Sequence, residues 1–211
     1  MSMKSLRTTV YVDGLNLYYG CVKNTPFKWL DLKSLFSQLL KSNNLITQIK
    51  YFTAIVKPIP GNEKAPQRQQ TYLRALQKHI PEISIHYGHF ALHKVAMAEV
   101  TPPHNTVKVW RAEEKGSDVN LAVHLLNDAW LDTYDCAVIA SNDSDMTESL
   151  KMVRERFPEK VIGLITPGGT SSAQLGKYAH FVRKIRGSLL HKSQMPDNIP
   201  GTTIRKPDDW S

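Results

Sequence analysis

The spacing of apolar positions along the chain switches repeatedly between two periods. Short apolar, β-rich runs occupy residues 10–12, 46–56, 83–90, 134–140, 160–166 and 180–185. Between them, apolar residues recur every three or four positions, as on one face of a helix, over residues 32–40, 67–79, 117–130, 146–157 and 171–177. Strands that alternate with helices build a mostly parallel sheet with helices on both faces. The pattern therefore predicts a three-layer α-β-α domain.

The clearest helix in this pattern is the one over residues 117–130. We expect its buried face to carry the apolar residues at helical spacing, which are Val119, Ala122, Val123, Leu126 and Trp130. Asp31 is a suitable N-cap for the helix over residues 32–40. The periodicity is weak between residues 91 and 114, where a turn-like segment with two prolines precedes a short apolar run. A β-hairpin inserted near the sheet edge fits this segment.

The last part of the chain differs from the rest. Residues 187–211 contain three prolines, few apolar residues and no helical or strand period. We expect one domain over residues 1–186, followed by a C-terminal tail that is extended or disordered. Five apolar residues would serve to attach that tail to the domain, namely Leu189, Leu190, Met195, Ile199 and Trp210.

Composition indicates a basic net charge and a reducing cellular compartment. Lys and Arg number 27 against 19 Asp and Glu, which gives a formal charge of +8 and favours a polyanionic partner. The two cysteines, Cys21 and Cys136, show no metal-ligand spacing and indicate free thiols in a reducing compartment. We find no apolar stretch long enough for a signal peptide or a membrane span, and therefore expect a cytoplasmic protein.

Three aspartates stand at the ends of predicted elements. Asp13 follows the first strand, Asp143 follows the strand over residues 134–140, and Asp118 opens the helix over residues 117–130. Open α/β sheets place their active sites at the carboxyl ends of their strands. Carboxylates gathered there repel one another unless a hard divalent cation with oxygen ligands neutralises them. With the basic charge, this arrangement points to metal-dependent chemistry on a nucleic acid.

Polar neighbours of these aspartates have two interpretations each. Asn16 can hold Asp13 or a bound water, while Asp145 is a ligand, a supporting acid or a helix cap. Ser141 or Asn142 can position a phosphate. Lys115 either binds phosphate or is an ordinary solvated lysine. Residues 166–170 form a turn whose backbone amides would line the same crevice or have no function.

Three segments of the chain carry most of these residues. They are Val12–Tyr18, Glu114–Val119 and Ser141–Asp145. In this order, and with the predicted strand–helix order, they resemble the NYN-domain proteins of the LabA-like bacterial group, within the PIN-like nuclease superfamily. The resemblance covers roughly residues 7 to 186. It implies a PIN-like, Rossmann-like fold, a carboxylate cluster that binds Mg²⁺ or Mn²⁺, and cleavage of single-stranded RNA.

The resemblance also assigns roles to residues. It implies metal ligation by Asp13, Asp118 and Asp143, and catalytic roles for these three with Asn16 and Asp145. The implied reaction is metal-assisted hydrolysis of a phosphodiester, with Lys115, Ser141 and Asn142 as candidate substrate-binding residues.

One position departs from the family pattern. Relatives often carry a further acid six residues after the helix aspartate, where this chain has His124. At about 100° per residue, that position points roughly 120° away from Asp118, which leaves one metal or two open.

Several functional alternatives also stay open. Other parallel-sheet enzymes are disfavoured, since the sequence has no Gly-rich phosphate loop and no serine-hydrolase elbow. A catalytically inactive module that binds RNA or protein, and a DNA-cleaving nuclease of the same superfamily, remain as rivals. The sequence likewise leaves open whether the chain forms a homodimer.

Overall fold

The computed structural model describes residues 4–169 and 172–210. Thr170 and Ser171, which belong to the predicted turn and the short helix after it, lie outside the described residues. The strands are β1 Leu6–Asp13, β2 Asn44–Thr53, β3 Ile83–Tyr87, β4 His89–Ala98, β5 Thr106–Lys115, β6 Cys136–Ala140, β7 Val161–Thr166 and β8 Phe181–Lys184. Six of them form one sheet in the order β3-β2-β1-β6-β7-β8, and every neighbouring pair in it is parallel.

Helices connect the strands and cover both faces of the sheet. They are α1 Gly14–Leu17, α2 Leu32–Leu39, α3 Ala65–His79, α4 Ser117–Trp130, α5 Thr147–Arg156, α6 Ala173–Gly176 and α7 Gly187–Lys192. A π-helical turn, Tyr18–Val22, follows α1, and short 3₁₀ turns cover Ser144–Met146 and Asp208–Trp210. The N-cap predicted for α2 is confirmed, because an Asp31 carboxylate oxygen accepts a hydrogen bond of 2.9 Å from the Ser34 backbone N–H.

Two apolar clusters lie on opposite faces of the sheet. One packs α2, α3 and α7 against residues of β1 and β2 such as Val10 and Ile49. The other packs α4, α5 and α6 against Tyr11, Phe52 and the opposite side of β6. All five residues of β6 are buried because this central strand has a cluster on each side. The predicted three-layer α-β-α fold is confirmed.

Helix α4 has the predicted bounds but only part of the predicted buried face, since Ala122 and Leu126 are partly buried against the core and the other three residues are not. Val119, Val123 and Trp130 are 65%, 58% and 64% exposed, whereas Leu121 and Leu125 are buried. The helix therefore has two apolar stripes, and the prediction of a buried face containing Val119, Val123 and Trp130 is wrong. The inward stripe is the one that also carries Asp118 and Asp128 at the spacing 118, 121, 125, 128.

An antiparallel hairpin projects from the sheet, as predicted. Its strands β4 and β5 pair over their whole length, from His89 opposite Lys115 to Ala98 opposite Thr106. We call residues 89–115 the arm. The strand predicted over residues 83–90 is in fact split at Gly88, where a side chain would collide with the Glu114 carboxylate and the Ser117 backbone nitrogen. Glycine is thus required where the end of β3 passes the base of the arm.

The C-terminal segment is not a free tail. Residues 187–192 form α7, and Leu190, Met195 and Ile199 are buried against the α2–α3 side of the domain. The Trp29 indole N–H donates a 2.8 Å hydrogen bond to the Pro196 carbonyl. The expectation of an extended or disordered segment is therefore wrong, whereas the five apolar residues named for attaching it to the domain do pack there. The domain boundary at residue 186 stays a prediction.

Two simpler expectations concern cysteines and membranes. Cys21 and Cys136 are both free thiols. In the described part of the chain, none of the helices has the length and apolarity needed to cross a membrane.

Candidate active site

The candidate site lies where the strand order reverses. Successive crossovers lead outward from β1 to β2 and β3 on one side, and from β6 to β7 and β8 on the other. The carboxyl ends of β1 and β6 therefore meet at the topological switch point, the usual binding crevice of open α/β sheets. Asp13 ends β1, and residues 141–143 follow β6 directly. The fold thus brings two of the three predicted acidic segments together.

Asp13 is the most buried acid of this crevice, with a relative exposure of 6%. Its Oδ1 accepts a hydrogen bond of 2.9 Å from the Asn16 backbone N–H, and its Oδ2 accepts one of 2.9 Å from the Ser141 hydroxyl. Burial raises the pKa of Asp13, the two hydrogen bonds oppose that rise, and the neighbouring Asp143 and Glu114 carboxylates add to it. Asp13 is consequently held in one orientation but not neutralised.

Ser141 and Asn16 connect the loops after β1 and β6. The fully buried Ser141 hydroxyl donates to Asp13 and accepts a 3.0 Å hydrogen bond from the Asp143 backbone N–H. The Asn16 side-chain oxygen accepts a 3.1 Å bond from the Asn142 backbone N–H. Both side chains position acids and loops, and the Ser141 hydroxyl is fully engaged within the protein.

Asn142 has one side-chain atom without a partner. Its amide nitrogen donates a 2.9 Å hydrogen bond to the Pro167 carbonyl, which brings the loop after β7 to the site. Its buried side-chain oxygen has no hydrogen-bond partner among the residues described. Buried acceptors are normally satisfied, so this oxygen marks a place for a water or a ligand donor.

Asp118 reaches the crevice through a sharp change of direction. Gly116, with a φ of +91°, allows β5 to turn directly into α4, and Asp118 stands in the first turn of that helix. Burial and then the charges of Asp13, Asp143, Glu114 and Asp145 raise the pKa of Asp118 to about 6. The charges of the other two predicted metal ligands thus contribute to the electrostatic environment of Asp118.

Glu114 is a site residue that the sequence analysis did not assign. Its Oε1 accepts a 3.0 Å hydrogen bond from the Ser117 backbone N–H at the start of α4. Its charge also raises the pKa values of both Asp13 and Asp118. The available signal was strand parity, since Glu114 lies on the opposite face of β5 from Glu113 and Lys115.

Two other predicted residues lie at the edge of the site. Asp145 is exposed, and its backbone N–H donates a 3.0 Å bond to the Asp143 carboxylate. Lys115 is exposed as well, and its Nζ lies 3.6 Å from the Glu113 carboxylate on the other face of the arm. Asp145 therefore belongs to the rim, and Lys115 is turned away from Glu114.

His124 faces a different group of residues. Its Nδ1 lies 3.4 Å from the Lys50 Nζ, and its ring centre lies 4.2 Å from that of His86. Burial first, and then the Lys50 charge, lower the pKa of His124. The side chain that replaces the family's further acid is thus packed beside a buried lysine.

The chemistry of the donors suits a hard cation, although the side chains are not gathered around one point. Asp13, Asp118, Asp143 and Glu114 offer only oxygen ligands, the kind that Mg²⁺ and Mn²⁺ prefer. Across residues 4–169 and 172–210, no three His, Cys, Asp or Glu side chains already stand close enough to hold a metal ion directly. Mutual repulsion accounts for this spread, and Mg²⁺ commonly binds through retained waters.

Comparisons with known proteins bear on the family and the fold of the chain. The family model of the NYN domain matches residues 7–184. A relative from Pseudomonas putida, named 6-hydroxy-3-succinoylpyridine 3-monooxygenase HspA, is 34% identical in an alignment that covers 100% of this chain and 77% of that protein. A protein of unknown function from Vibrio parahaemolyticus has a similar structure, with a TM-score of 0.54 at 15% identity, over 89% of this chain and 97% of that one.

Proposed function

The chain belongs to the NYN domain family, and we propose that it is a metal-dependent endoribonuclease that hydrolyses phosphodiester bonds of single-stranded RNA. One observation carries the proposal. The Ser141 hydroxyl joins Asp13 to the Asp143 loop at the switch point of a parallel sheet, and the charges of Asp13, Asp143 and Glu114 add to burial in raising the pKa of Asp118 to about 6. Such an uncompensated negative site calls for a cation, and a cation there would attract a phosphate.

In this proposal Asp13, Asp118 and Asp143 hold Mg²⁺ or Mn²⁺, directly or through waters, and Glu114 adds a fourth charge nearby. When bound, the cation would orient a water and offset the charge that develops on the phosphate. His124 has an imidazole where relatives often carry a further acid, and its ring packs beside Lys50 and His86. A single cation is the stoichiometry we propose.

The uncharged residues act on the acids or on the substrate. Ser141 keeps Asp13 oriented, and Asn16 connects the two loops that carry Asp13 and Asp143. The Asn142 amide nitrogen donates one hydrogen bond to the Pro167 carbonyl, and its buried oxygen is the side-chain atom without a partner in the described residues. An acceptor suits a bound water or a ribose hydroxyl better than a phosphate oxygen. Asp145 and Lys115 are proposed to act from the rim.

A second candidate activity comes from the name of the Pseudomonas relative. Carried over to this chain, that name would make it a monooxygenase of a hydroxylated pyridine. The succinoyl group of such a substrate carries a carboxylate, which the acid cluster would repel unless a cation were bound. Oxygen uptake with this pyridine and an added reductant would favour the second candidate over the first.

The decisive experiment is cleavage of end-labelled single-stranded RNA and DNA in Mg²⁺, Mn²⁺ or EDTA, with the wild type and Asp143→Asn. We expect RNA cleavage that needs metal and is abolished by the substitution. Glu159→Gln is the control, since it neutralises an exposed acid in the turn before β7, at the end of the sheet opposite the carboxyl ends of the strands.

The other outcomes separate the rival functions. Cleavage that survives Asp143→Asn would contradict the assigned site. Cleavage of DNA alone would move the protein to the DNA-cleaving nucleases. RNA binding without cleavage of either polymer, and unimpaired by EDTA, would identify a regulatory module of the same fold.

A further inference from the structure

The arm has two chemically different faces. Directly opposed residues of an antiparallel pair lie on the same face, and the faces alternate along each strand. One face carries Glu113 with the cations that it contacts, Arg111 at 3.2 Å and Lys115 at 3.6 Å. The second face, which we call the inner face, includes Glu114, Phe90, Leu92, Trp110, Lys94 and Lys108, together with small residues such as Ala112 and Ala96.

The inner face begins at the acid cluster. Glu114, at its base, bonds to the start of α4 and raises the pKa of Asp118. Trp110 follows four residues away on the same strand, and Lys108 two residues beyond that. At a rise of about 3.4 Å per residue, Trp110 lies roughly 14 Å and Lys108 roughly 20 Å from Glu114 along the arm. The inner face is therefore continuous with the candidate active site.

Trp110 has an exposed side chain that is not needed to fill the core of the domain. It is 52% exposed, and its ring has the Lys94 Nζ over it at 4.8 Å from the ring centre. A large aromatic ring with an adjacent cation is the combination that stacks on a base while holding its phosphate.

The charges of the two faces also differ. On the outer face, Glu113 partly neutralises Arg111 and Lys115. Within the described residues, neither Lys94 nor Lys108 pairs with a carboxylate. The inner face beyond Glu114 therefore carries, beside Trp110, two cations without a carboxylate partner among the described residues, whereas the two cations of the outer face share Glu113.

A second basic surface carries less weight. A groove of about 320 Å³ between α3 and the C-terminal segment includes Lys64, Arg68, Arg74, Arg205 and Lys206. Its Arg68 is already engaged with Asp209 at 2.6 Å, and Lys206 lies 3.9 Å from Asp197. The acids of the chain itself thus occupy part of that groove.

We infer that the inner face of the arm is a binding track that guides single-stranded RNA to the acid cluster, with Trp110 stacking on a base and Lys94 and Lys108 contacting phosphates. The inference rests on the proposed function, because the bound RNA is taken to run along the arm towards the carboxylates that would cleave it. It adds a subsite about four nucleotides from the cleaved bond, at the ~3.4 Å spacing of a stacked strand.

The first test measures binding without cleavage. A fluorescent oligouridine dodecamer is titrated in EDTA by anisotropy, with the wild type, Trp110→Ala and Lys94→Ala/Lys108→Ala. We expect Trp110→Ala to weaken binding at least about fivefold. The double variant should flatten the dependence of log K on log salt by roughly 0.7 per lysine. Arg111→Ala, on the outer face of the same arm, is the matched control and should change binding less than twofold.

The second test separates the track from the catalytic site. Cleavage of the dodecamer is compared with cleavage of a uridine dinucleotide, which is too short to reach Trp110 from the carboxylates. Trp110→Ala should raise the KM for the dodecamer and leave kcat and dinucleotide cleavage unchanged, and Trp110→Phe should restore most of the affinity. Unaltered melting temperatures verify that each variant is folded.

The outcomes distinguish this inference from the proposed function. Loss of dodecamer binding on Trp110→Ala, with no cleavage by the wild type, would support the track and reject the nuclease. Normal cleavage and binding by Trp110→Ala would reject the track and leave the nuclease intact. A dimer that dissociates on Trp110→Ala, with RNA binding unchanged, would show that the inner face contacts a second copy, and would also overturn the track.

Discussion

Two groups of charged residues lie close to the same sheet, yet they are built in opposite ways. The acid cluster at the carboxyl edge contains Asp13, Asp118, Asp143 and Glu114, with no cation of the chain bonded to any of them in the described residues. The buried network beneath α4 contains Lys50 and Asp128, which are 7% and 4% exposed. Here a carboxylate and an ammonium group face each other at 2.6 Å.

The buried network satisfies its own charges. Asp128 accepts hydrogen bonds of 2.6 Å from the Tyr11 hydroxyl and from Lys50, and Lys50 also approaches His124. Burial and the bond to Asp128 raise the pKa of Tyr11 far above its ordinary value, so it stays a neutral donor. The ring of His86 stacks on Phe52 and lies beside His124.

The contrast shows how a structural charge group differs from a candidate catalytic one. In the network, each buried charge has a partner of opposite sign, so nothing further is needed to stabilise it. In the acid cluster, every added neighbour has the same sign, and folding brings repelling groups together. Such a cluster reduces stability by itself and is explained by something that binds there.

The largest expected effect comes from breaking the balanced network. Asp128→Ala leaves Lys50 buried without its counter-ion and Tyr11 without its acceptor, which should lower the free energy of unfolding by about 3–5 kcal/mol. Urea denaturation measures this change in the free energy of unfolding. The double variant Lys50→Met/Asp128→Leu removes both charges and should recover most of the loss. Equal instability of the double variant would contradict the assignment of Lys50 and Asp128 as a charge pair.

The same kind of change in the acid cluster should act on activity instead. Asp118→Asn should lower the rate of RNA cleavage at least about a hundredfold, because it removes a proposed metal ligand. In metal-free buffer it should raise the melting temperature slightly, since it relieves repulsion that solvent partly screens. Mg²⁺ should stabilise the wild type and not the variant. Destabilisation by Asp118→Asn would show that the cluster is structural.

A smaller effect is expected from a substitution of Ser141, the uncharged residue that orients Asp13 in the acid cluster. Ser141→Ala removes the hydroxyl that donates to Asp13 and accepts from the Asp143 backbone. We expect a loss of about tenfold in kcat and about 1 kcal/mol in stability. Single-turnover cleavage and urea denaturation provide the two values. Ser149→Ala is a control, since Ser149 is also buried but donates to a backbone carbonyl within its own helix region.

The smallest effect is a difference in pH dependence between the two groups. Burial, His124 and Lys50 lower the pKa of His86 from its ordinary 6.5 to about 4, so its stabilising contribution is lost as pH falls through that interval. The pKa of Asp118 is raised from 3.8 to about 6, so its contribution is lost as pH rises through that interval.

Melting curves in metal-free buffer test this difference. The melting temperature of the wild type minus that of His86→Gln should decrease as the pH falls from 6.5 towards 4. The same difference for Asp118→Asn should decrease as the pH rises from 3.8 towards 6. If both melting-temperature differences changed in the same direction with pH, the opposite pKa shifts of His86 and Asp118 would be contradicted.

Much of the fold could be predicted from the sequence because its signals are local. The apolar runs and the capping Asp31 act within a few residues of the elements that they define. The acids at strand ends were predicted to converge for a more general reason, which is that parallel strands end at one edge of a sheet. The roles of the site residues stay proposals until they are tested.

Other features depended on contacts between distant residues. The charge of Glu114 acts on Asp13, which is about a hundred residues away along the chain. The C-terminal segment is ordered in part because the Trp29 indole donates a hydrogen bond to the distant Pro196 carbonyl. Such relations produce no period within one segment.

Helix α4 illustrates the division most clearly. Its sequence determined that residues 117–130 are helical and that two apolar stripes run along the helix. Only the tertiary structure decided which stripe faces the sheet, because Leu121 and Leu125 fill the space beside Tyr11 and Phe52 while Asp128 meets Lys50. Periodicity is a property of one segment, whereas the choice between two stripes depends on the volume and charge that the opposite surface presents.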